Sequence, residues 1–599
     1  MIQQLKDCLY LLDRRARTQF AALGLMMIFA ALLESLSVGL VLPFLHLIED
    51  PARLANVPVF GDLLDAFGDV SRGRLFAYAA VGLLAVVLVK NLFLVILVYF
   101  QYRIAYQNLW ALSKRLYRLY LESPFVNTQH RNSAELIRNV HEAVNETTNS
   151  VILGFVTVFT EISVVIAIAV LLLLLQPEAT LAAGAILVVA VVGYHLAARQ
   201  KFTAWGARAL SLQRDVFQAL QQGLHSLKTT KVHGREDYFL EAYSRARREL
   251  SFLGALINTA NNVPRLWVEM VVIAGVLIVL VFLIAGGTGE AEMLPVLGLF
   301  SVAAFRMMPS ANRMIVAFNN IKHGKAALDS VVTDIRSQAP RRSAAPEAES
   351  ALGAESLRSL QLEAVSFTYP GEQTSAIDNV SLQITPGVSL GVVGPSGAGK
   401  TTLVDILLGL LAPTKGRVLV NGRGLSGMRQ AWRHRLGYVP QSIYILDDTL
   451  RRNIAFGYAD DEIDEDAVLT AIKRAQLEDF VDGLAEGLDT VLGEHGARLS
   501  GGQQQRIGIA RALYHDPEVL VLDEATSSLD TETEQEITAA IDNLRGIKTL
   551  VIIAHRLSTV RQCDRLIYLE NGKLADSGTF EELAAGNDTF RNLVELSRL

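Results

Sequence analysis

Residues Gly394, Pro395, Ser396, Gly397, Ala398, Gly399, Lys400, Thr401 and Thr402 follow the apolar run Val388–Val393 and lead into Leu403-Val-Asp-Ile-Leu-Leu. A glycine-rich turn between a strand and a helix lets backbone N–H groups face phosphate oxygens at the positive end of the helix. In such a cradle Lys400 reaches the β- and γ-phosphates, and the Thr401 hydroxyl can ligate Mg²⁺. The apolar run Val519-Leu-Val-Leu ends in Asp523 and Glu524. The first carboxylate at such a strand end can join a Mg²⁺ shell, and the second can polarise water beside a γ-phosphate. The chemistry implied is binding and hydrolysis of ATP with Mg²⁺.

The elements around this site are of two kinds. The chain has 599 residues, too many for one compact domain, and 51% of them are hydrophobic. The mean hydropathy is +0.30, and the apolar material is concentrated before residue 320, which points to a membrane protein. A net charge of −6 without a concentrated basic face argues against nucleic acid as a partner. Cys8 and Cys563 are the two cysteines, so neither a disulfide framework nor a zinc site is expected. The segment before the first apolar run is charged and amphipathic, and that run is long enough to span, so no cleavable signal is expected.

Six stretches reach the length of about 20 residues that a spanning helix needs: near 19–48, 75–103, 150–176, 178–197, 254–286 and 291–319. The third and fourth are joined by the tight turn Gln176-Pro-Glu178, whereas the links 104–149 and 198–253 are long, polar and helix-patterned. The N-terminal segment carries Lys6, Arg14, Arg15 and Arg17, and the long links carry Arg103, Lys114, Arg115, Arg118, Arg131, Arg138, Arg199, Lys201, Arg214, Lys228, Lys231 and Arg235. By the positive-inside rule the N-terminus, both long links and everything after the last span are cytoplasmic. The stretch Val59–Phe67 is amphipathic and reads either as a helix on the outer surface or as a solvated loop. The domains expected are a helical membrane domain over 1–336, an Ala/Pro/Ser/Glu-rich linker over 337–358, and an α/β nucleotide-binding domain over 359–599.

Leu499-Ser-Gly-Gly-Gln503 before the Asp523 strand is similar to the signature of ATP-binding cassette proteins, and region 360–590 resembles their motif order. The resemblance implies that Tyr369 stacks on adenine and that Gln441 links the γ-phosphate site and its metal to the membrane domain. It further implies that Ser528-Leu529-Asp530 crosses between nucleotide domains and that His555 senses the γ-phosphate. Ser500, Gly501, Gly502 and Gln503 of one cassette would close over ATP held by Lys400 of another. One chain holds one cassette, so a second chain is required; with Lys400, Asp523, Glu524 and His555 all present, a homodimer with two working sites is expected. The layout resembles exporter-type half transporters (type IV fold) with domain-swapped membrane bundles, and implies coupling helices near Ser123–Thr128 and Lys228–Gly234. No peptidase domain is expected before the first span, which favours lipid, drug or unprocessed peptide as cargo.

Ionisable residues inside apolar spans are costly and usually face a cavity. Glu34, Lys90, Glu161, Arg265, Glu269, Arg306 and Arg313 are such residues. Two readings stand: Lys90, Arg265 and Arg306 line a path for a phosphate or pyrophosphate head group, or the cations pair with Glu34, Glu161 and Glu269 or snorkel to the surface. Asn262–Glu269, Phe305–Arg313 and Leu446–Ile454 resemble the corresponding segments of PglK-type flippases of lipid-linked oligosaccharides, with Lys90 where an arginine is usual. That resemblance implies an ATP-driven flippase in the bacterial inner membrane, moving a polyprenyl-pyrophosphate-linked glycan to the outer leaflet for protein glycosylation. The alternatives are an exporter of lipid A, phospholipid, or hydrophobic drug or peptide, and a non-transporting channel or regulatory subunit.

Overall fold

The structure is a computed structural model that describes residues 1–49, 72–129, 131–285, 290–337, 355–493, 496–524, 531–554 and 556–596. The chain divides into two units, the first comprising 1–123 and 131–339 and the second 124–130 and 340–599. The amphipathic stretch 59–67 and residues 338–354 of the expected linker lie outside the described residues.

The described residues of the first unit are built from helices. Its elements are α1 (Ile2–Leu11), α2 (Arg14–Gly39), α3 (Val41–Glu49), α4 (Arg72–Glu122), α6 (Ser133–Arg138), α7 (Leu153–Leu175), α8 (Pro177–His225), α9 (Leu227–His233), α10 (Glu236–Ala285), α11 (Glu290–His323) and α12 (Lys325–Ser337), while α5 (Phe125–Gln129) belongs to the second unit. Lipid offers no hydrogen-bond partners, so a spanning segment must satisfy its backbone internally, which a helix does. Among the described residues four helices are long and apolar enough to cross a membrane: Arg14–Leu45, Gly73–Glu122, Ser133–Leu175 and Glu236–Val281. The sequence stretches 178–197 and 291–319 fall in α8 and α11. On α4, Val81, Leu84, Leu88, Leu92 and Val95 are 60–66% exposed, an outward apolar stripe at helical spacing that suits acyl chains rather than water.

Close backbone approach packs these helices. A Cβ on Gly206 of α8 would lie 2.0 Å from the His323 carbonyl oxygen of α11, and one on Gly154 would lie 2.7 Å from the Ile321 side chain. Small residues at such crossings gain van der Waals contact that larger ones forbid. Between α6 and α7 the helix widens into two π-helical turns, Asn139–Ala143 and Thr147–Ile152.

The second unit is built on a six-stranded sheet of order β10-β9-β3-β8-β7-β6, made of β3 (Ser389–Val393), β6 (Leu436–Val439), β7 (Val519–Asp523), β8 (Thr549–Ile553), β9 (Arg565–Glu570) and β10 (Lys573–Gly578). All neighbours pair in parallel except β9 with β10. The sheet is covered on both faces, which explains the unbroken apolar runs read in the sequence. Val519 and Val521 of β7 join one buried cluster with Val551 and Ile553, while Leu520 and Leu522 join the other with Leu550 and Ile552. A second, antiparallel sheet has the order β2-β1-β4-β5, from β1 (Leu360–Phe367), β2 (Ile377–Ile384), β4 (Lys415–Val420) and β5 (Arg423–Gly424). The fully buried Trp432 joins the first of these packing layers and donates its indole N–H to the Leu407 carbonyl at 2.8 Å.

The Gly206 crossing is a test of this packing. Gly206→Val sets new atoms against backbone, which cannot rotate away, and costs about 2 kcal/mol. A thermal unfolding curve of the purified chain should show a melting temperature lower by about 2 °C, and an unchanged value would contradict the crossing.

Candidate functional site

The phosphate cradle is the turn between β3 and the helix α13 (Lys400–Leu407). Three of its glycines lie at positive φ: Gly394 at 153°, Gly397 at 79° and Gly399 at 95°. At two of them a side chain would also be blocked, since a Cβ on Gly394 would sit 2.2 Å from the Leu569 carbonyl oxygen and one on Gly399 2.5 Å from that of Ala376. These contacts are with backbone, so glycine is the residue that lets the loop curl. Lys400 is buried, and its ammonium donates to the carbonyls of Gly394 at 2.8 Å and Pro395 at 3.0 Å. Burial pulls its pKa below the ordinary lysine value, while the nearby Glu524 and Asp523 oppose that shift. The lysine therefore lies within the field of both carboxylates read from the sequence.

Those carboxylates stand where β7 ends. Asp523 is buried and accepts a long hydrogen bond from the Tyr438 hydroxyl on β6, at 3.4 Å. Burial and Asp523 together push the Tyr438 phenol above its usual range, which keeps it a hydrogen-bond donor. Glu524 follows with φ +50°, and its N–H donates to the Ile553 carbonyl at 3.0 Å. A non-glycine residue held in the left-handed region stores about 1–3 kcal/mol, and such strain concentrates at functional sites. Gln441, just past β6, donates from Nε2 to Glu524 Oε2 at 2.6 Å. The structure thus brings Lys400, Gln441, Asp523 and Glu524 to one edge of the sheet, where β3, β6 and β7 end.

Tyr369 lies just beyond β1, edge-on to Phe367 with ring centroids 5.0 Å apart, and its hydroxyl is 3.2 Å from Thr402 Oγ1. That bond fixes the ring beside the phosphate turn. Ser500 caps the helix α14 (Gly501–Leu513), accepting from the Gln503 N–H at 3.2 Å while Gln503 Oε1 accepts from the Ser500 N–H at 2.9 Å. This reciprocal cap holds Ser500, Gly501, Gly502 and Gln503 at a helix N-terminus, where an anion is favoured. Asp530 and His555 lie outside the described residues. Thr401 is exposed, and its hydroxyl together with Asp523 and Gln441 offers the hard oxygen donors that suit Mg²⁺, which keeps several waters and usually needs only one or two carboxylates.

Two residues near the site escaped the sequence reading. Tyr438 carried a signal, two positions before the Pro440–Gln441 loop, but its reach to Asp523 depends on β6 pairing with β7. Asp405 is buried on α13, and burial with Asp523 nearby raises its carboxyl to about 6.

In the first unit, Glu34 is 1% exposed and serves two cations. Arg306 donates to it in bidentate fashion, with Nε to Oε2 at 2.6 Å, and Lys90 approaches at 3.5 Å. Arg313 makes a second bidentate pair with Glu161, at 2.5 and 3.1 Å. Two of the three cations expected to line a head-group path therefore have an internal carboxylate. Arg265 and Glu269 are exposed on α10, and neither forms an ion pair among the described residues.

Comparisons with known proteins agree with this geometry. The family model described as ABC transporter matches residues 377–527, and the ABC transporter transmembrane region matches residues 20–304. The two matches and the assembled phosphate site make the chain an ABC transporter, an ATP hydrolase coupled to transport across a membrane, with the organisation of the exporter-type half transporters. It is 29% identical over 531 residues to the ATP-dependent lipid A-core flippase of Ralstonia nicotianae, covering 88% of each chain. It is 33% identical over 385 residues to the flippase of the same description from Dechloromonas aromatica, covering 64% of this chain and 65% of that one. The fold matches a bacterial Atm1-family ABC exporter solved with ATP bound, with a TM-score of 0.77, 23% identity, and 98% and 99% of the two chains covered. These relatives shift the cargo reading from lipid-linked oligosaccharide to the alternative expectation, a lipid exporter.

Two measurements test the site. Glu524→Gln keeps the hydrogen bond to Gln441 within reach but removes the carboxylate that can polarise water, so ATP turnover should fall at least about a hundredfold while ATP binding by filter assay persists; undiminished turnover would remove Glu524 from the chemistry. Asp405 has a folded-state pKa above its unfolded value of about 3.9, so its stabilising contribution is complete below pH 4 and is lost as pH rises through about 6. Asp405→Asn should therefore raise the melting temperature relative to the parent at pH 8 and not at pH 4, and equal differences at both would refute the burial account.

Proposed function

We propose that the chain is an ATP-driven bacterial lipid flippase whose cargo is a phosphorylated glycolipid of the lipid A-core class. The observation that carries this reading is the similarity to the Ralstonia flippase across 88% of both chains, which spans the membrane helices as well as the ATPase. The charge of the membrane unit supports it. Glu34, Lys90 and Arg306 together leave one positive charge in excess, and Arg265 adds a further cation on α10. A phosphorylated head group complements that balance, and its acyl chains match the apolar outer surface.

In this reading two copies of the chain bind ATP between them. Lys400 and the backbone of 394–402 hold the phosphates, Tyr369 covers the base, and Thr401, Asp523 and Gln441 hold Mg²⁺ directly or through water. Glu524 polarises the attacking water, His555 contacts the γ-phosphate, and Ser500–Gln503 and Asp530 close the site from the second copy. Six helices cross the inner membrane from each copy, with both the N-terminus and the ATPase cytoplasmic. ATP binding joins the cassettes, and hydrolysis resets them.

The test is reconstitution of the purified full-length chain in liposomes, following ATP-dependent movement of lipid A-core, a polyprenyl-pyrophosphate-linked glycan and a phospholipid in parallel. Movement of lipid A-core is expected to exceed that of the other two at least about tenfold. Movement of the pyrophosphate-linked glycan alone, of phospholipid alone, or of none of the three would overturn the cargo assignment.

A further inference from the structure

The chain passes between its two units three times: at 123/124, back at 130/131, and at 339/340. The short excursion holds α5, whose Val126 packs against the apolar cluster containing Leu403 and Leu407 of α13. The flanks of all three crossings meet at one carboxylate of the first unit. Asp334, on the last helical segment before the third crossing, is 7% exposed. It accepts from the hydroxyl of Tyr120, three residues before the first crossing, and from Arg131 Nη2, the first residue after the second, at 3.1 and 3.2 Å. Asn139 Nδ2 adds a third donor at 2.9 Å. Asn139 is itself 1% exposed, opens a π-helical turn, and accepts at Oδ1 from Arg138 at 2.6 Å. The Arg131 guanidinium also lies over the Tyr120 ring, 5.6 Å from its centroid.

We infer that Asp334 is a positioning residue for energy coupling, a node that binds the three strands of chain leaving the first unit into one body. Tyr120 and Arg131 are the two ends of the loop that carries α5, so a common acceptor sets the separation of those ends. The same acceptor ties them to α12, which continues into the third crossing. Without it the loop and α12 would each follow the ATPase separately, and displacement of one would reach the helical bundle only in part. A buried network with satisfied donors and acceptors behaves as a unit, and losing one member leaves the others desolvated and unpaired. Asp334 belongs to the helical unit and is none of the residues assigned to the nucleotide, so ATP turnover is expected to survive its loss.

The experiment reads coupling without any cargo, so its outcome is separate from that of the flippase assignment. Spin labels at Leu88 of α4 and Leu277 of α10, both exposed, report the distance change on trapping with ATP, Mg²⁺ and vanadate; both native thiols are buried, so the labels go to the introduced cysteines. In the full-length labelled chain, Asp334→Asn should reduce the fraction of trapped molecules that switch distance by about tenfold, with ATP turnover within about twofold of the parent. Tyr120→Phe, which removes one donor and keeps the ring, should reduce it by about threefold and decides the matter if Asp334→Asn does not fold. Full switching in Tyr120→Phe and in any folded Asp334→Asn would overturn the inference. So would a loss of switching matched by an equal loss of ATP turnover, which a merely structural role predicts.

Discussion

A charge that loses its water must find a partner in the protein, and that constraint shapes both units of this transporter. In hydrocarbon it is severe, because moving an ion out of water costs several kcal/mol even after relaxation. Glu34 meets it by accepting from Arg306 and Lys90 together, and Glu161 by accepting from Arg313. Elsewhere in the helical unit Asp334 meets it with a tyrosine, an arginine and an asparagine. In the ATPase the same rule holds Lys400 against two loop carbonyls, within the field of Asp523 and Glu524. A phosphate entering that loop replaces carbonyl partners with anionic oxygens, an exchange that favours the nucleotide because charge-assisted hydrogen bonds are the stronger ones.

Much of this was legible in the sequence where chemistry depends on near neighbours. The order strand, glycine turn, Lys400 and Thr401, helix is local, and β3 and α13 form where periodicity places them. Asp523 and Glu524 announce themselves at the end of an apolar strand. Partnerships across long separations were not legible. Lys90 and Arg306 were visible as charges in apolar runs, yet their shared acceptor lies 56 and 272 residues away. The Asp334 node is less visible still, since Tyr120, Arg131 and Asn139 read as ordinary members of a polar link until the helices fold. The positive φ of Glu524 also has no local sign, because the neighbouring strand β8 imposes it through the Ile553 carbonyl.

The segments that resembled oligosaccharide flippases have structural work of their own. In Leu446–Ile454, Asn453 is fully buried, accepts from the Leu446 N–H at 2.8 Å and donates to the carbonyls of Leu446 and Thr449 at 3.1 Å. Arg452 in the same segment bridges Asp448 and Asp460. In Phe305–Arg313 both arginines are ion-pair partners inside the bundle. Residues that hold a fold together are shared by transporters with different cargoes, so likeness there speaks for the exporter architecture. Arg265 differs, being exposed and without a carboxylate among the described residues, and a residue of that kind can carry information about the cargo.

The placement of charge also divides the helical unit into blocks. Glu34, Lys90 and Arg306 join α2, α4 and α11, and the Arg313–Glu161 pair adds α7. A separate pair, Arg208 with Glu249 at 2.7 Å, joins α8 to α10. Among the described residues the contacts between the blocks are uncharged: Asn261 of α10 bonds Asn319 and Asn320 of α11, and Gly206 of α8 meets the backbone at His323. Pulling apart α2, α4 and α11 would leave Glu34 or its cations unpaired in a medium that cannot solvate them. Sliding α8 and α10 past α11 exchanges amide and van der Waals contacts among the described residues, which are weak enough to remake. The neutral seam is therefore the boundary whose separation strands no charge in hydrocarbon, whereas a break inside either charged block leaves a partner unpaired.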